Sequence, residues 1–394
     1  MYDQNYSKGK LFVVLKVAEV CNLKCKYCYF FFAGDESYKK DPSYIAMSTV
    51  RDVAKYLAQA AKDYDLEQID ISLHGGEPLM IGKKRFEEIC QILNEYISPL
   101  CALELAVQTN AVLIDEGWID LFSIYDVGVG ISLDGPRDIN DIYRIDKKNK
   151  GTYDAVVKGL NYITEARKSG KLPGAGGLVV INPESDGGEI YKHMVHDLGF
   201  KSLDFLAPQQ SWVDFDLERT QKVAEFYSQA MSQWLEDDNG DVNIRAFSEP
   251  LAAMLSNDGA RYRVRALKDV KDAITIRSNG DVCPDDALTP LSENYRYTGF
   301  NVSSSKLRDF REHEVWADLA KGVSDAPVEC KECKWLGICR GGLAEHRYSV
   351  DRKFSSPTTY CSARKDTFER LYEYVTHVID VEEVDQRLTM SVSI

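Results

Sequence analysis

The sequence lacks any run of eighteen apolar residues, so we expect no transmembrane helix and no membrane partner. The short apolar run near the N-terminus, in "MYDQNYSKGKLFVVLK", has no small-residue cleavage site behind it and predicts a first β-strand rather than a signal peptide. Basic residues are also fewer than acidic residues. The chain has 48 lysines and arginines and 62 aspartates and glutamates, which gives a formal net charge of −14. This deficit disfavours general nucleic-acid binding. Together these features indicate a cytoplasmic protein.

The ten cysteines do not predict disulfides, because they occur in a chain without an export signal. Their spacing is more informative than their number. Cys21, Cys25 and Cys28 form one group, and a second group of four lies within 330–361. The remaining cysteines stand alone in the sequence; they are Cys90, Cys101 and Cys283. The chain of 394 residues has room for one large domain and a smaller one.

Strand and helix patterns alternate six times along the first part of the chain. Each short apolar segment with strand character is followed by a segment with the 3.6-residue period of a helix. Such alternation predicts a parallel sheet with right-handed crossovers, and its functional groups are expected at the C-terminal strand ends. We therefore predict a partial (β/α)6 barrel. The six strand candidates are "LFVVLKV", "QIDISL", "LELAVQTN", "VGVGISLDG", "GLVVIN" and "SLDFLAP".

The alternation ends after Trp234, where "EDDNGD" predicts a polar turn. Beyond that turn come short strand patterns, turns and the second cysteine group, and then a polar helical pattern in "DTFERLYEYVTHVIDVEEV". The sequence predicts four parts. They are a barrel over residues 1–240, a linker over 241–269, a cysteine-containing domain over 270–365 and a C-terminal helix over 366–394.

The first cysteine group reads CxxxCxxC and supplies three ligands on one tight loop. A cubane iron–sulfur cluster takes four ligands, so three cysteines would leave one iron open. Zinc sites more often use paired CxxC or Cys/His sets with four closed ligands, and no histidine lies near this loop. The spacing favours a cluster, while a zinc site or scattered core cysteines remain alternatives.

The motif follows the first strand of a predicted βα barrel, and "GGEP" follows the second. In this context the chain resembles the radical S-adenosylmethionine (SAM) superfamily from about residue 10 to residue 235. The resemblance implies a radical SAM barrel in which Cys21, Cys25 and Cys28 hold a [4Fe–4S] cluster. It also implies that SAM chelates the open iron through its amino and carboxylate groups. Reductive cleavage of SAM then yields a 5′-deoxyadenosyl radical that abstracts a hydrogen atom.

Several residues at strand ends match positions that the family uses for SAM. Glycines allow close backbone approach, and the family holds the SAM amino group at its GGEP edge. An arginine pairs bidentately with carboxylates, so Arg144 is a candidate clamp for the SAM carboxylate. Tyr27 is expected to shape the loop and contact adenine. Ordinary turn, strand-capping or surface roles remain alternatives for these positions. The full cofactor-binding set is Tyr27, Gly75, Gly76, Glu77, Pro78, Gln108, Asn110, Ser132, Asp134 and Arg144.

The second cysteine group, in "ECKECKWLGICRGG…YCSA", has the four ligands of a closed site, and its CxxC start allows structural zinc. Behind a radical SAM barrel it resembles the SPASM (twitch-like) extension, which carries auxiliary [4Fe–4S] clusters. The resemblance implies that one such cluster is held by Cys330, Cys333, Cys339 and Cys361.

The sequence departs from a full SPASM domain at two expected cysteines. Four residues after Cys339 stands Leu343, and the position counted from Gly280 is Asp285. Cys283 lies two residues out of register. We therefore expect two [4Fe–4S] clusters in all, with a third cluster at Cys283 as the minor alternative.

"GGLAEHRY", "SLHGGEPL" and "SLDGPRDINDIYR" resemble one SPASM subgroup that matures ribosomally made peptides, many into three-residue cyclophanes. The resemblance implies an oxidoreductase that joins an aromatic ring carbon to the β-carbon of a nearby residue. Asp286 matches the position of a proposed general base; a turn carboxylate is the alternative, and a slip of one residue would pass the role to Asp285. His346 and Arg347 would orient this region or the substrate, or have a structural role.

Competing functions remain within and outside this subgroup. The runner-up is an anaerobic sulfatase-type maturase that oxidises serine or cysteine to formylglycine, and other crosslinking or epimerising peptide maturases are also open. From another class, the chain could be an iron–sulfur electron-transfer or scaffold protein. The implied partners are a precursor peptide with a leader sequence and an electron donor such as flavodoxin or ferredoxin. Since about ten residues precede the first strand, leader binding is expected elsewhere than in an N-terminal domain.

Overall fold

Nine strands pair into one sheet in the computed structural model, which describes residues 9–32, 36–255 and 272–390. The strands are β1 (Lys10–Ala18), β2 (Gln68–Gly75), β3 (Ala102–Thr109), β4 (Val127–Ser132), β5 (Ala175–Val180), β6 (Ser202–Leu206), β7 (Asn243–Ile244), β8 (Ala273–Ile276) and β9 (Val282–Cys283). Their order in the sheet is β7-β6-β5-β4-β3-β2-β1-β8-β9. All neighbours are parallel except β8 and β9. The six predicted strands and the predicted partial (β/α)6 barrel are confirmed.

Helices connect the strands and cover the outside of the sheet. Those of the barrel are α1 (Tyr29–Phe32), α2 (Met47–Tyr64), α3 (Lys83–Ile97), α4 (Glu116–Ile124), α5 (Arg137–Tyr143), α6 (Tyr153–Lys168), α7 (Gly187–Lys192), α8 (Leu217–Asp237) and α9 (Arg245–Leu255). Those that follow are α10 (Glu293–Arg296), α11 (Leu307–Arg311), α12 (Glu314–Ser324), α13 (Leu336–Cys339), α14 (Cys361–Thr376) and α15 (Val381–Met390). Short 3₁₀ turns occupy Ser37–Lys39, Pro78–Ile81, Asp286–Leu288, Val328–Cys330 and Ala344–His346, and His193–Asp197 is a π-helical turn.

The core lies between the sheet and the helices packed on it. In β1 the side chains of Leu11, Val13 and Leu15 are fully buried, in alternation along the strand. In α2 the residues Val50 and Val53 belong to a stripe at helical spacing that joins the same apolar cluster. The strand residues with a period of two and the helix residues with a period of 3.6 therefore pack into one hydrophobic core.

The region after residue 240 differs from the predicted linker. Residues 243–244 form β7 at the far edge of the sheet, and α9 follows directly over 245–255. The rest of the predicted linker, residues 256–269, lies outside the described residues. An amphipathic pattern that contains Pro250 explains why the sequence did not predict this helix.

The C-terminal segment forms two helices rather than one. The first, α14, begins at Cys361 instead of near residue 366, and the second, α15, follows after a break. Residues 391–394 lie outside the described residues. Among the helices that the structure describes, none is both long and apolar enough to cross a membrane.

Candidate active site at the carboxyl ends of the strands

The cysteine loop follows β1 and lines a cavity of about 1320 Å³ at the carboxyl ends of the barrel strands. The Leu23 amide donates to Cys21 Sγ at 3.3 Å, and the Cys28 amide donates to the Cys25 carbonyl at 3.1 Å. Burial raises the pKa of all three thiols, that of Cys21 to about 12. Binding iron would therefore release protons from these groups. The three predicted ligands are brought together on one wall of the cavity.

Gly75 and Gly76 bring the end of β2 against the start of the cysteine loop. The Gly76 amide donates to the Ala18 carbonyl at 2.7 Å. A Cβ on Gly75 would lie 2.1 Å from the Ala18 carbonyl oxygen, and one on Gly76 would lie 2.4 Å from the Val20 carbonyl oxygen. Gly75 also has a φ of 151°. Only glycine permits this approach of two backbones, so the pair positions the loop that carries the cysteines.

The Glu77 carboxylate is buried and fully engaged by the protein itself. It accepts hydrogen bonds from the Leu79 amide at 3.0 Å, the Thr109 hydroxyl at 2.7 Å and the Asn110 amide at 2.8 Å. These bonds tie the end of β2 to the end of β3. Pro78 then begins a 3₁₀ turn. The side chain of Glu77 therefore stabilises the end of β2. Residues 75–77 contribute to the cavity wall through their backbone.

Gln108 and Asn110, predicted at the end of β3, both line the cavity. Asn110 Nδ2 donates to Asn22 Oδ1 at 2.8 Å, which links the strand end to the cysteine loop. Gln108 Nε2 donates to Ser132 Oγ at 2.9 Å, across to β4. The predicted polar edge is therefore continuous over three neighbouring strands.

A chain of hydrogen bonds joins Asp134, Tyr27 and Arg144. Tyr27 Oη donates to Asp134 Oδ2 at 2.6 Å and accepts from Arg144 Nη1 at 2.8 Å. Asp134 Oδ1 also accepts from the Val180 amide at 3.1 Å, so this carboxylate serves the packing behind the cavity wall. Burial raises the pKa of Asp134.

Arg144 lines the cavity together with Tyr27. Its Nε is buried and has no hydrogen-bond partner among the described residues. A buried guanidinium with unused donor capacity is suited to an anionic ligand, above all a carboxylate. This observation fits the predicted clamp on the SAM carboxylate.

Asp286 reaches the barrel interior from the turn after β9. Its Oδ2 accepts a hydrogen bond from Tyr29 Oη at 2.6 Å and pairs with Lys16 Nζ. Asp285 instead caps its own turn, with Oδ1 accepting from the Ala287 amide at 3.0 Å. The register counted from the sequence therefore places Asp286 against Lys16 and Tyr29 in the barrel interior, whereas Asp285 lines the cavity.

The charges around Asp286 keep its carboxyl ionised. Burial opposes ionisation, but the Lys16 ammonium and the Tyr29 hydroxyl outweigh it and hold the pKa of Asp286 well below its usual range. Burial and Lys16 lower the pKa of His74 to about 4. The Lys16 ammonium has no acceptor, so its 3.1 Å contact makes His74 Nδ1 the acceptor and leaves the ring proton on Nε2. The site thus combines an anionic acceptor with a neutral imidazole that lines the cavity.

Lys16, Tyr29 and His74 were not identified from the sequence. Lys16 is a lone lysine in the apolar strand "LFVVLKV" and is 2% exposed. A charged residue buried inside such a strand signals a paired or functional group. His74 directly precedes "GGEP", which placed it at a strand end without indicating its partner.

Cys330, Cys333, Cys339 and Cys361 line one small cavity between α13 and α14. Among the described residues, no set of three or more histidine, cysteine, aspartate or glutamate side chains is arranged to hold a single metal ion. The four predicted ligands of the second site line one shared space, and the assignment of a cluster rather than zinc stays a prediction. Burial raises the pKa of Cys330 to about 11.

Arg347 lies at the centre of this second cysteine region and is fully buried. Its guanidinium donates only to backbone carbonyls, at 2.6 Å for Gly322 and 3.1 Å for Ser356. It thereby holds the backbone around the cysteines in place. This contact pattern corresponds to the structural role that the sequence left open for Arg347. His346 packs against Tyr360, and burial lowers the pKa of its imidazole to about 3.

The positions that depart from a full SPASM pattern meet beside the main cavity. Asp285 and Leu343 both line it, and the turn at Asp286–Leu288 contacts the turn at Ala344–His346. Cys283 is buried away from them, and its thiol donates to the Arg296 carbonyl at 3.3 Å. Cys283 is therefore engaged within the protein fold.

Comparisons with known proteins agree with this geometry. Residues 15–194 match the family model described as the Radical SAM superfamily. The chain is 22% identical over 369 residues, 91% of its length and 94% of the relative, to the cysteine-type anaerobic sulfatase-maturating enzyme of Clostridium novyi. It is 25% identical over 365 residues, 86% of its length and 84% of the relative, to the serine-type enzyme of Bacteroides thetaiotaomicron.

Solved structures give the same picture of the fold. Native anSMEcpe with bound AdoMet superposes with a TM-score of 0.77 at 24% identity, over 94% of this chain and all of that one. Streptococcus suis SuiB bound to S-adenosylmethionine superposes with a TM-score of 0.54 at 16% identity, over 86% of this chain and 74% of that one. The likeness extends beyond the barrel into the region of the second cysteine group.

Proposed function

We propose that this radical SAM enzyme, which matches its superfamily over residues 15–194, oxidises the β-carbon of a residue in a peptide or protein substrate. The observation that carries the proposal is the Asp286 carboxylate, which is hydrogen-bonded to Tyr29 and paired with Lys16 next to the cysteine loop. Relatives that align along most of the chain are maturases of sulfatases. A proton acceptor beside a radical-generating site is what such an oxidation needs.

The residues present fit the implied cofactors. Three thiols on one cavity wall leave one cluster position for SAM, and Arg144 supplies a buried donor toward its carboxylate. A second cluster fits the four thiols at 330–361. When bound, SAM and its cluster supply the hydrogen-abstracting radical, and the auxiliary cluster supplies an acceptor for one electron.

The chain's own residues hold the substrate and move its proton. Oxidation at the β-carbon removes one hydrogen atom, one proton and one electron from the substrate. Asp286 receives the proton, while Lys16 and Tyr29 keep its carboxylate charged and oriented. The cavity of about 1320 Å³ has room for a peptide segment beside the cofactor.

The comparisons favour oxidation of serine or cysteine to formylglycine over the cyclophane crosslink. Both serine-type and cysteine-type sulfatase-maturating enzymes align along most of this chain. Another structural neighbour is native anSMEcpe with bound AdoMet and the Cp18Cys peptide, at a TM-score of 0.76. The proposed substrate is therefore a peptide segment that presents a serine or cysteine.

Cyclophane formation is the second candidate, because two cavity-lining positions distinguish this chain. Asp285 and Leu343 stand where a full SPASM domain has cysteines, and both face the cavity. The space next to Asp286 is therefore bounded by a carboxylate and an aliphatic side chain. In this case a ribosomal precursor peptide with a leader would be the partner. Flavodoxin or ferredoxin would supply the electron in either case.

A peptide panel tests the two candidates together. Reduced, reconstituted enzyme and SAM are mixed with sulfatase-type peptides carrying serine, cysteine or alanine at the target, and with peptides carrying aromatic-x-x repeats. An aldehyde captured by a hydrazide from the serine or cysteine peptides supports the first candidate. Loss of two hydrogens from aromatic peptides without an aldehyde supports the second. SAM cleavage with no change in either class would contradict both.

A further inference from the structure

Arg364 lies in the wall between the two cavities. It lines the large cavity at the barrel mouth and also the small cavity formed by the four cysteines. Its Nε donates to Cys339 Sγ at 3.3 Å. Arg364 is one helical turn after Cys361, at the start of α14, so the same helix supplies a ligand and a cation to one site.

The guanidinium of Arg364 has an unusual set of neighbours. Among the described residues it has no ion-pair partner, and its hydrogen bond goes to sulfur. In the loaded site this cation would face the Cys339 thiolate, with Tyr227 and Glu249 as its further electrostatic neighbours.

Arg347 is a contrasting cation in the same region. It is held by backbone carbonyls such as those of Gly322 and Ser356, and it organises the chain. Arg364 makes no such bonds and points at a ligand atom. Hydrogen bonds and positive charge at cluster sulfurs are principal means by which proteins set the potential of an iron–sulfur site.

We propose that Arg364 is a positioning residue that raises the reduction potential of the cluster at Cys330, Cys333, Cys339 and Cys361. This inference rests on the proposed function, in which that cluster accepts the electron left after β-carbon oxidation. The added electron makes the cluster more negative, so a neighbouring guanidinium stabilises the reduced state more than the oxidised state. The site on the far side of Arg364 from the substrate cavity thereby becomes a better electron acceptor.

The test measures potential without substrate. All variants are made in the background in which Cys21, Cys25 and Cys28 are alanine, so that reconstituted protein holds only the second cluster. Potentiometric titration followed by electron paramagnetic resonance then gives its midpoint. Arg364→Met should make reduction at least about tenfold less favourable, a fall of about 59 mV for one electron. Arg364→Lys keeps the positive charge, so its midpoint potential should lie between those of the parent and Arg364→Met.

Arg370→Met is the matched control, because Arg370 lies on the same helix and donates to the Ser228 carbonyl at 2.9 Å, away from the cysteines. Its midpoint should equal that of the parent. Iron content and circular dichroism confirm that each variant is loaded and folded. If Arg364→Met loses its iron, the midpoint of loaded Arg364→Lys decides the question.

The outcomes separate this inference from the proposed function. An unchanged midpoint in both Arg364 variants would overturn the inference, even if the wild-type enzyme oxidises peptides. A lowered midpoint would support it, even if the peptide panel fails and the oxidation proposal falls. Zinc in place of iron in the background protein would overturn it together with the second cluster.

Discussion

Lys16 and Asp286 form the ion pair that organises the candidate site at the scale of single residues. Lys16 is 2% exposed and belongs to β1, whereas Asp286 enters from a turn 270 positions later. Removing one member of a buried pair leaves an uncompensated charge, at a cost of about 3–5 kcal/mol. The pair therefore contributes both to the stability of the fold and to the proposed proton transfer, and each contribution can be tested by a substitution.

Replacing Asp286 with asparagine removes the proton acceptor and keeps size and polarity. The variant should still cleave SAM with the peptide present, because hydrogen abstraction does not need this carboxylate. The modified peptide should fall by about a hundredfold or more, the usual contribution of a general base. Chromatography of deoxyadenosine and peptide from one reaction measures both quantities. If Asp286→Asn forms product normally and Asp285→Asn does not, the role belongs to Asp285.

Replacing Lys16 with methionine should move the pH profile of product formation. Lys16 lowers the pKa of Asp286, so its loss raises that pKa. The base acts only when ionised, and the acid limb of the profile therefore shifts to higher pH. The Tyr29 hydroxyl still donates to this carboxylate and lowers its pKa, so the shift is partial. Rates of product formation from pH 4 to pH 9 should show an acid limb in the variant that the parent lacks in this range, and a variant without that limb contradicts the assigned role of Lys16.

The sequence indicated which cysteines and glycines lie together at this cavity, but it did not indicate their neighbours Lys16 and His74. The cysteines and "GGEP" have a fixed spacing along the chain, so local pattern was sufficient. Lys16 and His74 lie on different strands, and their contact with Asp286 depends on three segments that meet only in the fold. In a strand that is buried on both faces, the sequence alone does not indicate which side chain contacts a residue from another segment of the chain.

At the scale of elements, the close approach of β2 to the cysteine loop positions the site. The Glu77 amide donates to the Val20 carbonyl at 2.9 Å, one residue before Cys21. The periodic pattern predicted β1 and β2 as strands. It could not predict that β8 pairs in parallel with β1. That pairing joins segments about 260 residues apart, and a pattern of period two does not specify a partner.

Gly76→Ala should disturb the cysteine loop. The added Cβ would lie 2.4 Å from the Val20 carbonyl oxygen, so the loop or strand must shift. We expect a loss of about 1–3 kcal/mol of stability, together with lower iron content. Gly240→Ala is the control, because nothing lies within 4 Å of the position of its Cβ. Thermal unfolding and iron analysis compare them, and equal behaviour of the two variants would contradict the claim.

At the scale of the whole molecule, the fold brings the first cysteine group and Cys339 of the second group to the wall of one large cavity. β8 and β9 extend the barrel sheet beyond β1, and the following turn delivers Asp286 to the cysteine loop. The helix that begins at Cys361 packs on α8 of the barrel. The division at 240 and the linker at 241–269 were predicted from composition, which does not reveal that residues 243–255 form β7 and α9 of the same sheet and core.

Iron content tests the number of clusters. Anaerobically reconstituted protein should hold about eight iron atoms per chain, four for each [4Fe–4S] cluster. Alanine at Cys330, Cys333, Cys339 and Cys361 should reduce this to about four. A value near twelve that falls on replacement of Cys283 would show a third cluster. Such a value would contradict the engagement of Cys283 with the Arg296 carbonyl.

The central claim is that the cysteine loop generates a radical that takes a hydrogen atom from the β-carbon of a peptide residue. The most direct measurement uses the peptide that is modified in the panel, with its target β-carbon deuterated, and follows deoxyadenosine by mass spectrometry. The wild-type enzyme should yield deuterated deoxyadenosine. The variant with alanine at Cys21, Cys25 and Cys28 should yield none. Modified peptide accompanied by unlabelled deoxyadenosine, or undiminished SAM cleavage by the triple variant, would contradict the account.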